Sequence, residues 1–193
     1  MAKQSWRPGT LLAPVPPVLV SSGDAEHPNV FTAAWTGIVC SEPAMTYVSI
    51  RPSRYSHEII SRTGEFVINL PCAAVAKAVD YCGVKSGREV DKFQLTGLKP
   101  EPSAAVAAPS IAQCPVSLEC KVRQVMPLGS HDMFLAEIVA VGVEEQYIDE
   151  KGALHLEKCG LLAYSHGAYF TLGKQLGTFG FSVRKKSSGR RKK

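Results

Sequence analysis

The sequence lacks any paired cysteine motif. Its six cysteines (Cys40, Cys72, Cys82, Cys114, Cys120 and Cys159) include no Cys-x-x-Cys and no histidine at zinc-ligand spacing. That pattern argues against a structural zinc centre, and no metal site is expected. A long hydrophobic run is missing too: no stretch of about 18 residues passes without a charge or a proline-rich break, so no membrane-spanning helix is expected. The apolar stretch from Leu11 to Val20 holds three prolines and does not read as a signal peptide. A cytoplasmic location follows as the expectation, where thiols stay reduced and most of these cysteines act as small core fillers. Also absent are a Gly-x-Gly-x-x-Gly turn after a strand, a Walker loop, a Gly-x-Ser-x-Gly elbow and a closely spaced carboxylate pair. Nucleotide binding of the first two kinds, serine hydrolase chemistry and glycoside chemistry therefore find no support.

What is present fits one sizeable globular domain. The chain has 193 residues, 45% hydrophobic and 20% charged. At that length a domain buries roughly 70% of its unfolded surface and needs neither metal nor disulfide to hold a core. The formal net charge of +5 is uneven. The last ten residues, RKKSSGRRKK, carry seven Lys or Arg, and taking those from 22 leaves 15 basic residues against 17 acidic, a net of −2 for residues 1–183. The expected organisation is a domain over 1–183 and a solvated, disordered basic tail over 184–193, capable of non-specific contact with nucleic acid at most.

Strand patterns dominate. Residues 30–40 (VFTAAWTGIVC) and 46–51 (TYVSIR) alternate, and 116–123 (VSLECKVR) places Val116, Leu118, Cys120 and Val122 inward and Ser117, Glu119, Lys121 and Arg123 outward. The run 133–145 follows a short turn at 127–130 and reads as an antiparallel partner. Two short helices interrupt: one from a Ser53 cap to a stop at Gly64, one from about Ala73 to Tyr81. Residues 100–109 read as an irregular loop. The fold class is mainly β, an antiparallel barrel or sandwich with helices at its margins.

One strand–turn–helix corner carries the features of a phosphate site. In Ser49-Ile50-Arg51-Pro52-Ser53-Arg54-Tyr55-Ser56, arginines and hydroxyls meet a helix N-terminus, whose unpaired N–H groups favour an anion. The same residues equally suit a capped helix with solvated arginines. In CGVKSGREVDKF (82–93), Gly83 and Gly87 allow close backbone approach and Ser86 and Lys92 can bind anions, although a plain surface loop fits as well. A histidine, His131, stands on the turn Gly129-Ser130-His131-Asp132.

Together these segments resemble the flavin reductase-like family of FMN-binding split barrels, in its flavoredoxin and ferric-reductase branch. The matching pieces are NVFTAAWTG (29–37), SEPAMTYVSIRPSRYSHEII (41–60), TGEFVINLP (63–71), DYCGVKSGREVDKF (80–93), GSHDMFLAEIVAV (129–141) and AYFTLG (168–173). The resemblance implies a six-stranded antiparallel, Greek-key-like barrel that works as a homodimer with FMN near the subunit interface. It implies that Thr32, Ala33, Ala34, Trp35 and Thr36 line the isoalloxazine, with Asn29 and Ile50 also among the cofactor-binding residues. Ser49, Arg51, Ser53 and Ser56 would surround the phosphate, and Cys82, Gly83, Ser86 and Lys92 would close the site. His131 would be the catalytic residue, near where NADH or NADPH meets the flavin; here Ser130 precedes it and Asp132 follows, where the family's turn has Asp before His. The implied activity is NAD(P)H-dependent flavin or ferric reduction. The alternative is a flavoredoxin-like electron-transfer protein reduced by a redox partner, with no NAD(P)H activity of its own. No membrane partner is expected.

Overall fold

A computed structural model describes residues 1–184. The expected tail lies outside the described residues apart from Arg184. Among the described residues, no helix is long and apolar enough to cross a membrane. Eleven strands and three α-helices follow in chain order. They are β1 (Val18–Ser22), β2 (Asn29–Ala33), β3 (Thr36–Cys40), β4 (Met45–Ile50), α1 (Tyr55–Thr63), β5 (Glu65–Leu70), α2 (Ala76–Val84) and α3 (Lys92–Thr96). After these come β6 (Pro100–Glu101), β7 (Ser110–Ile111), β8 (Val116–Pro127), β9 (Asp132–Val143), β10 (Leu162–Ser165) and β11 (Ala168–Thr171).

Seven strands form one antiparallel sheet in the order β2-β1-β5-β8-β9-β4-β3. Its two edge strands, β2 and β3, are separated in the chain only by Ala34 and Trp35. Such a link spans at most about 11 Å between flanking Cα atoms, so the two edges must come together and the sheet must curl. The stretch 30–40, expected as one strand, is thus broken in the middle: its first half pairs with β1 and its second with β4. The Ser49 N–H donates to the Trp35 carbonyl at 2.9 Å beside the gap. Counting β2 and β3 as one interrupted strand turns the seven into the expected six.

The barrel interior is filled by the inward set of each strand, including Val18, Val20, Phe31, Val48, Ile50, Phe66, Ile68 and Phe134, and α1 adds Ile60. A second core lies outside the barrel, where Leu19 and Val30 meet Ala78, Val79 and Cys82 of α2 and Phe93 of α3. Burial on both faces explains why β1 reads as VLVSS without alternation. Helix α2 buries Ala78, Val79 and Cys82 on this side.

Two local expectations need correction. Ser117 and Glu119 of β8 do not point into water: both are buried. The segment 100–111 covers that face, and the Glu119 carboxylate accepts the Ala104 and Ala105 N–H groups at 2.9 and 2.6 Å. Ser117 donates to Asn69 Oδ1 at 2.8 Å. Buried polar atoms are tolerated there because each has a partner. Ser53 is also not the cap of α1. Residues 51–54 form a turn closed by Arg54 N–H to the Arg51 carbonyl at 2.9 Å, Arg54 takes the cap position without a side-chain cap bond, and the helix starts at Tyr55. Its end is as expected, at Gly64 with φ 70°.

Candidate functional site

A cavity of about 380 Å³ opens at the break between β2 and β3, inside the range of about 300–1,000 Å³ common to small-molecule sites. Residues Phe31 to Trp35 form one wall, Ser49, Ile50, Arg51 and Arg54 a second, and His131 reaches in from the β8–β9 turn. Asp80, Gly83 and Val84 come from α2, with Pro17 and the tyrosines Tyr164 and Tyr169 closing the remaining side. A neighbouring cavity of about 320 Å³ shares Ala34, Trp35, Ser49 and His131 and adds Leu12, Tyr47 and Ser130. Trp35 and His131 therefore stand on the boundary between two spaces.

The arginine end is electrostatically open. Arg51 and Arg54 are exposed, and neither joins an ion pair among the described residues. They sit at the start of α1, where no side chain caps the first amides and the helix dipole adds positive potential. His131 Nδ1 lies 2.9 Å from Ser130 Oγ. Partial burial, and then the Arg51 charge, hold its pKa below the ordinary histidine value, which keeps the ring neutral near pH 7. At the opposite end, burial and then the Asp80 carboxylate push the Tyr169 phenol up to about 12. The Tyr164 and Tyr169 rings pack with centroids 5.2 Å apart.

Thr32, Ala33, Ala34, Trp35, Ser49, Ile50, Arg51, Gly83 and His131 are brought together around the cavity. The Ile50 side chain itself points into the barrel core. Thr32 Oγ1 donates to the Val79 carbonyl, so its hydroxyl docks α2 against β2. The other expected residues stand outside this cavity. Thr36 Oγ1 donates to the Tyr47 carbonyl at 2.6 Å. Asn29 Nδ2 donates to Ser56 Oγ at 2.7 Å, and Ser56 is buried. Ser53 offers its carbonyl to Arg88 Nη1 at 3.2 Å, and Ser86 Oγ accepts from the Arg88 N–H at 3.2 Å. Cys82 is buried against α3, its thiol raised to about 11 by desolvation.

Lys92 is 5% exposed, and Nζ donates to the Cys82 carbonyl at 3.1 Å. Burial, partly opposed by Cys82, pulls its pKa down to about 8, and the Arg54 charge adds to the fall. Asn29 and Lys92 share a third cavity of about 420 Å³ with Tyr55 and Gly87. At Gly87 a Cβ would fall 2.1 Å from Asn29 Oδ1, so the 85–91 loop approaches β2 only because this residue has no side chain.

Sequence reasoning missed Pro17, Phe31, Asp80, Val84, Tyr164 and Tyr169 as cavity residues, whereas Arg54 already stood among the arginines of the phosphate-like corner. Asp80 and Tyr169 lie in segments already singled out, DYCGVKSGREVDKF and AYFTLG. Tyr164 carries no local signal, because the β10–β11 hairpin brings it in from the far end of the chain. A further pair also escaped notice: His57 Nε2 on α1 lies 2.8 Å from Asp132 Oδ2 on β9, and the His57 ring packs edge-on against Phe134. Among the described residues, no group of three or more His, Cys, Asp or Glu side chains is arranged to hold a metal ion.

The fold and sequence have clear likenesses. A family model described as "Flavin reductase like domain" matches residues 11–173. Flavoredoxin of Desulfovibrio vulgaris (Miyazaki F) superposes with a TM-score of 0.86 at 33% identity, covering 94% of this chain and 99% of that one. An FMN-binding protein from Thermus thermophilus, solved with bound 1-cyclohex-2-enone, gives 0.76 at 29% identity, covering 92% and 98%. A protein of Archaeoglobus fulgidus is 36% identical over 140 residues, which is 72% of this chain and 78% of that protein.

Proposed function

From the premise that this chain belongs to the flavin reductase-like family, and is a flavin-binding oxidoreductase in kind, we propose that it binds FMN in the cavity at the β2–β3 break. We propose further that it passes hydride or electrons from NADH or NADPH to a flavin or ferric acceptor. The observation that carries the reading is a small-molecule cavity whose one end holds two unpaired guanidinium groups at an uncapped helix N-terminus. That end suits a phosphate, and among the described residues no carboxylate pairs with it. Lys92 opens on the neighbouring cavity beside Tyr55, near enough for the Arg54 charge to lower its pKa, and we place this nearly buried ammonium at the far edge of the same anion site. The likeness to an FMN-binding protein at 29% identity supports FMN as the ligand.

Bound FMN supplies a ring that takes up a hydride and gives up electrons singly or in pairs. The chain's residues bind and orient. Arg51 and Arg54 hold the phosphate with charge-assisted hydrogen bonds. Ala34 and Trp35 lie outside both strand pairings, which leaves their N–H groups free of the ladder and available to stabilise negative charge on a ring edge. Pro17, Val84 and the tyrosine pair keep water from the other side. His131, neutral and with Nδ1 tied to Ser130, keeps Nε2 for contact with the donor or for exchange of one proton. The adjoining cavity beyond Trp35 is the space for the nicotinamide-bearing donor.

The test is anaerobic. FMN-loaded protein mixed with stoichiometric NADH or NADPH should lose the visible absorbance of its oxidised flavin. Bleaching by dithionite but by neither nicotinamide would leave the second reading. That reading is electron transfer with a protein redox partner, and the likeness to flavoredoxin at 33% identity favours it. We also propose a cytoplasmic homodimer. Ile38 and Val39 on β3 and Leu176 and Phe179 after β11 are exposed apolar side chains that a second copy would cover. Light scattering at the monomer mass of 20.8 kDa would refute this.

A further inference from the structure

The two cavities that meet at Trp35 and His131 differ in charge. The larger holds Arg51, Arg54 and Asp80, whereas no Lys, Arg, Asp or Glu among the described residues lines the smaller. The walls of the smaller are apolar or aromatic, with Leu12, Val15, Trp35, Tyr47 and Leu128. Leu12 and Leu128 are 87% and 61% exposed and form an apolar rim open to solvent. Few polar groups line the space. The Thr36 hydroxyl is spent on the Tyr47 carbonyl at 2.6 Å, which leaves Ser49 and the Ser130–His131 pair, joined at 2.9 Å. Partial burial and the Arg51 charge hold His131 neutral near pH 7, so the cavity offers hydrogen bonds and no net charge. At about 320 Å³ it stands at the low end of the range of about 300–1,000 Å³ for ligand sites.

We propose that this smaller cavity binds an uncharged one-ring quinone, which the protein reduces with electrons from the flavin cavity beside it. The proposal rests on the reading of the larger cavity as the FMN site. Burying a charge where nothing pairs with it is costly, so a charged ferric chelate or the diphosphate of a nicotinamide dinucleotide is disfavoured inside. A small quinone is neutral and planar. Its faces suit Trp35 and Tyr47, and its oxygens accept hydrogen bonds, which His131 Nε2 supplies when the Ser130 hydroxyl donates to Nδ1. The reduced nicotinamide ring is uncharged and of similar size, so donor and quinone use the space in turn. The donor's hydride carries two electrons and one proton, and a second proton comes from solvent by way of His131. Both quinone C=O groups become C–OH, and the dihydronicotinamide becomes the nicotinamide cation. That cation has no counter-charge in the cavity, which favours its departure.

Duroquinone is the probe, because its fully methylated ring resists addition of free thiols such as Cys40. Isothermal titration of the oxidised, FMN-loaded protein should give about one duroquinone per chain, and ferric citrate should not displace it. L12D and L128D should each weaken duroquinone about fivefold or more through lost apolar contact. Both should leave FMN affinity within about twofold, since neither residue lines the larger cavity. Both positions are exposed, so one variant carries the test should the other fail to fold. In an anaerobic arm, protein reduced with one equivalent of dithionite should regain its oxidised flavin colour at least about tenfold faster with duroquinone than with equimolar ferric citrate. Duroquinone that does not bind, that ferric citrate displaces, or that binds both variants as it binds wild type overturns the proposal. Reoxidation no faster than by ferric citrate overturns it too. Protein that takes up no FMN removes the flavin reading and this proposal together, whereas FMN uptake without duroquinone binding removes this proposal alone.

Discussion

Replacing Arg51 with alanine separates binding from stability unusually well. Arg51 is exposed and joins no ion pair among the described residues, and its carbonyl closes the turn to Arg54 at 2.9 Å. Truncation therefore removes no packed atoms and no cap. The change in folding free energy should stay within about 0.5 kcal/mol, as for other surface positions. The expected cost to FMN binding is larger. A hydrogen bond to a charged group contributes about 1.5–3 kcal/mol, which is roughly ten- to a hundredfold in Kd. Arg54 and the α1 amides remain, so binding should be weakened and not abolished. The assay is titration of apo-protein with FMN followed by quenching of flavin fluorescence, beside riboflavin as the ligand without phosphate. A thermal melt of each protein serves as the control. Raising the salt should narrow the gap between wild type and variant, because exposed charge interactions are screened beyond about 10 Å at 0.1 M. An unchanged FMN Kd in a folded Arg51→Ala protein would refute the arginine corner as the phosphate site. A riboflavin Kd that rises in parallel would show a distorted cavity and refute the phosphate argument equally.

Three further outcomes follow from the same geometry. FMN affinity should fall as pH rises through about 8, where Lys92 loses its proton, while riboflavin affinity stays flat; a phosphate with its second pKa near 6 is fully ionised across that window. A flat FMN profile from pH 7 to 9.5 would take Lys92 out of the account. Gly87→Ala should lower stability by about 1–3 kcal/mol, since its Cβ would meet Asn29 Oδ1 at 2.1 Å and Tyr55 Cδ1 at 3.1 Å; calorimetry should show a Tm drop of about 2–4 °C per kcal/mol. Ser53→Ala should leave Tm unchanged, because Ser53 caps nothing in α1, and a loss of about 1 kcal/mol would restore Ser53 as the cap.

Much of the barrel is legible in the sequence because its signals are local. Alternation marks β4 and β8, the short turn at 127–130 announces the β8–β9 hairpin, and Gly64 ends α1 by its own backbone freedom. What escaped is set by distant parts of the chain. Residues 30–40 alternate without interruption, and only the need to leave one sheet edge and join the other breaks them at Ala34–Trp35. Ser117 and Glu119 look solvent-facing until the 100–111 segment folds over them and supplies the N–H partners that Glu119 accepts. The cavity shows the same division. Arg51 and His131 are visible as residues at a strand end and on a turn. The hydroxyls of Thr32, Thr36 and Ser56 look equally available in the sequence, yet each is engaged inside the protein by a main-chain carbonyl or by Asn29. Tyr164 and the His57–Asp132 pair depend on contacts between segments far apart in the chain, for which no spacing rule exists.

The most direct test of the central claim is the stoichiometry and selectivity of flavin binding, measured by isothermal titration of apo-protein with FMN, FAD and riboflavin. The account predicts about one FMN per chain, bound more tightly than riboflavin by the contribution of its phosphate, about ten- to a hundredfold. No measurable binding of FMN, or equal affinity for FMN and riboflavin, would contradict it.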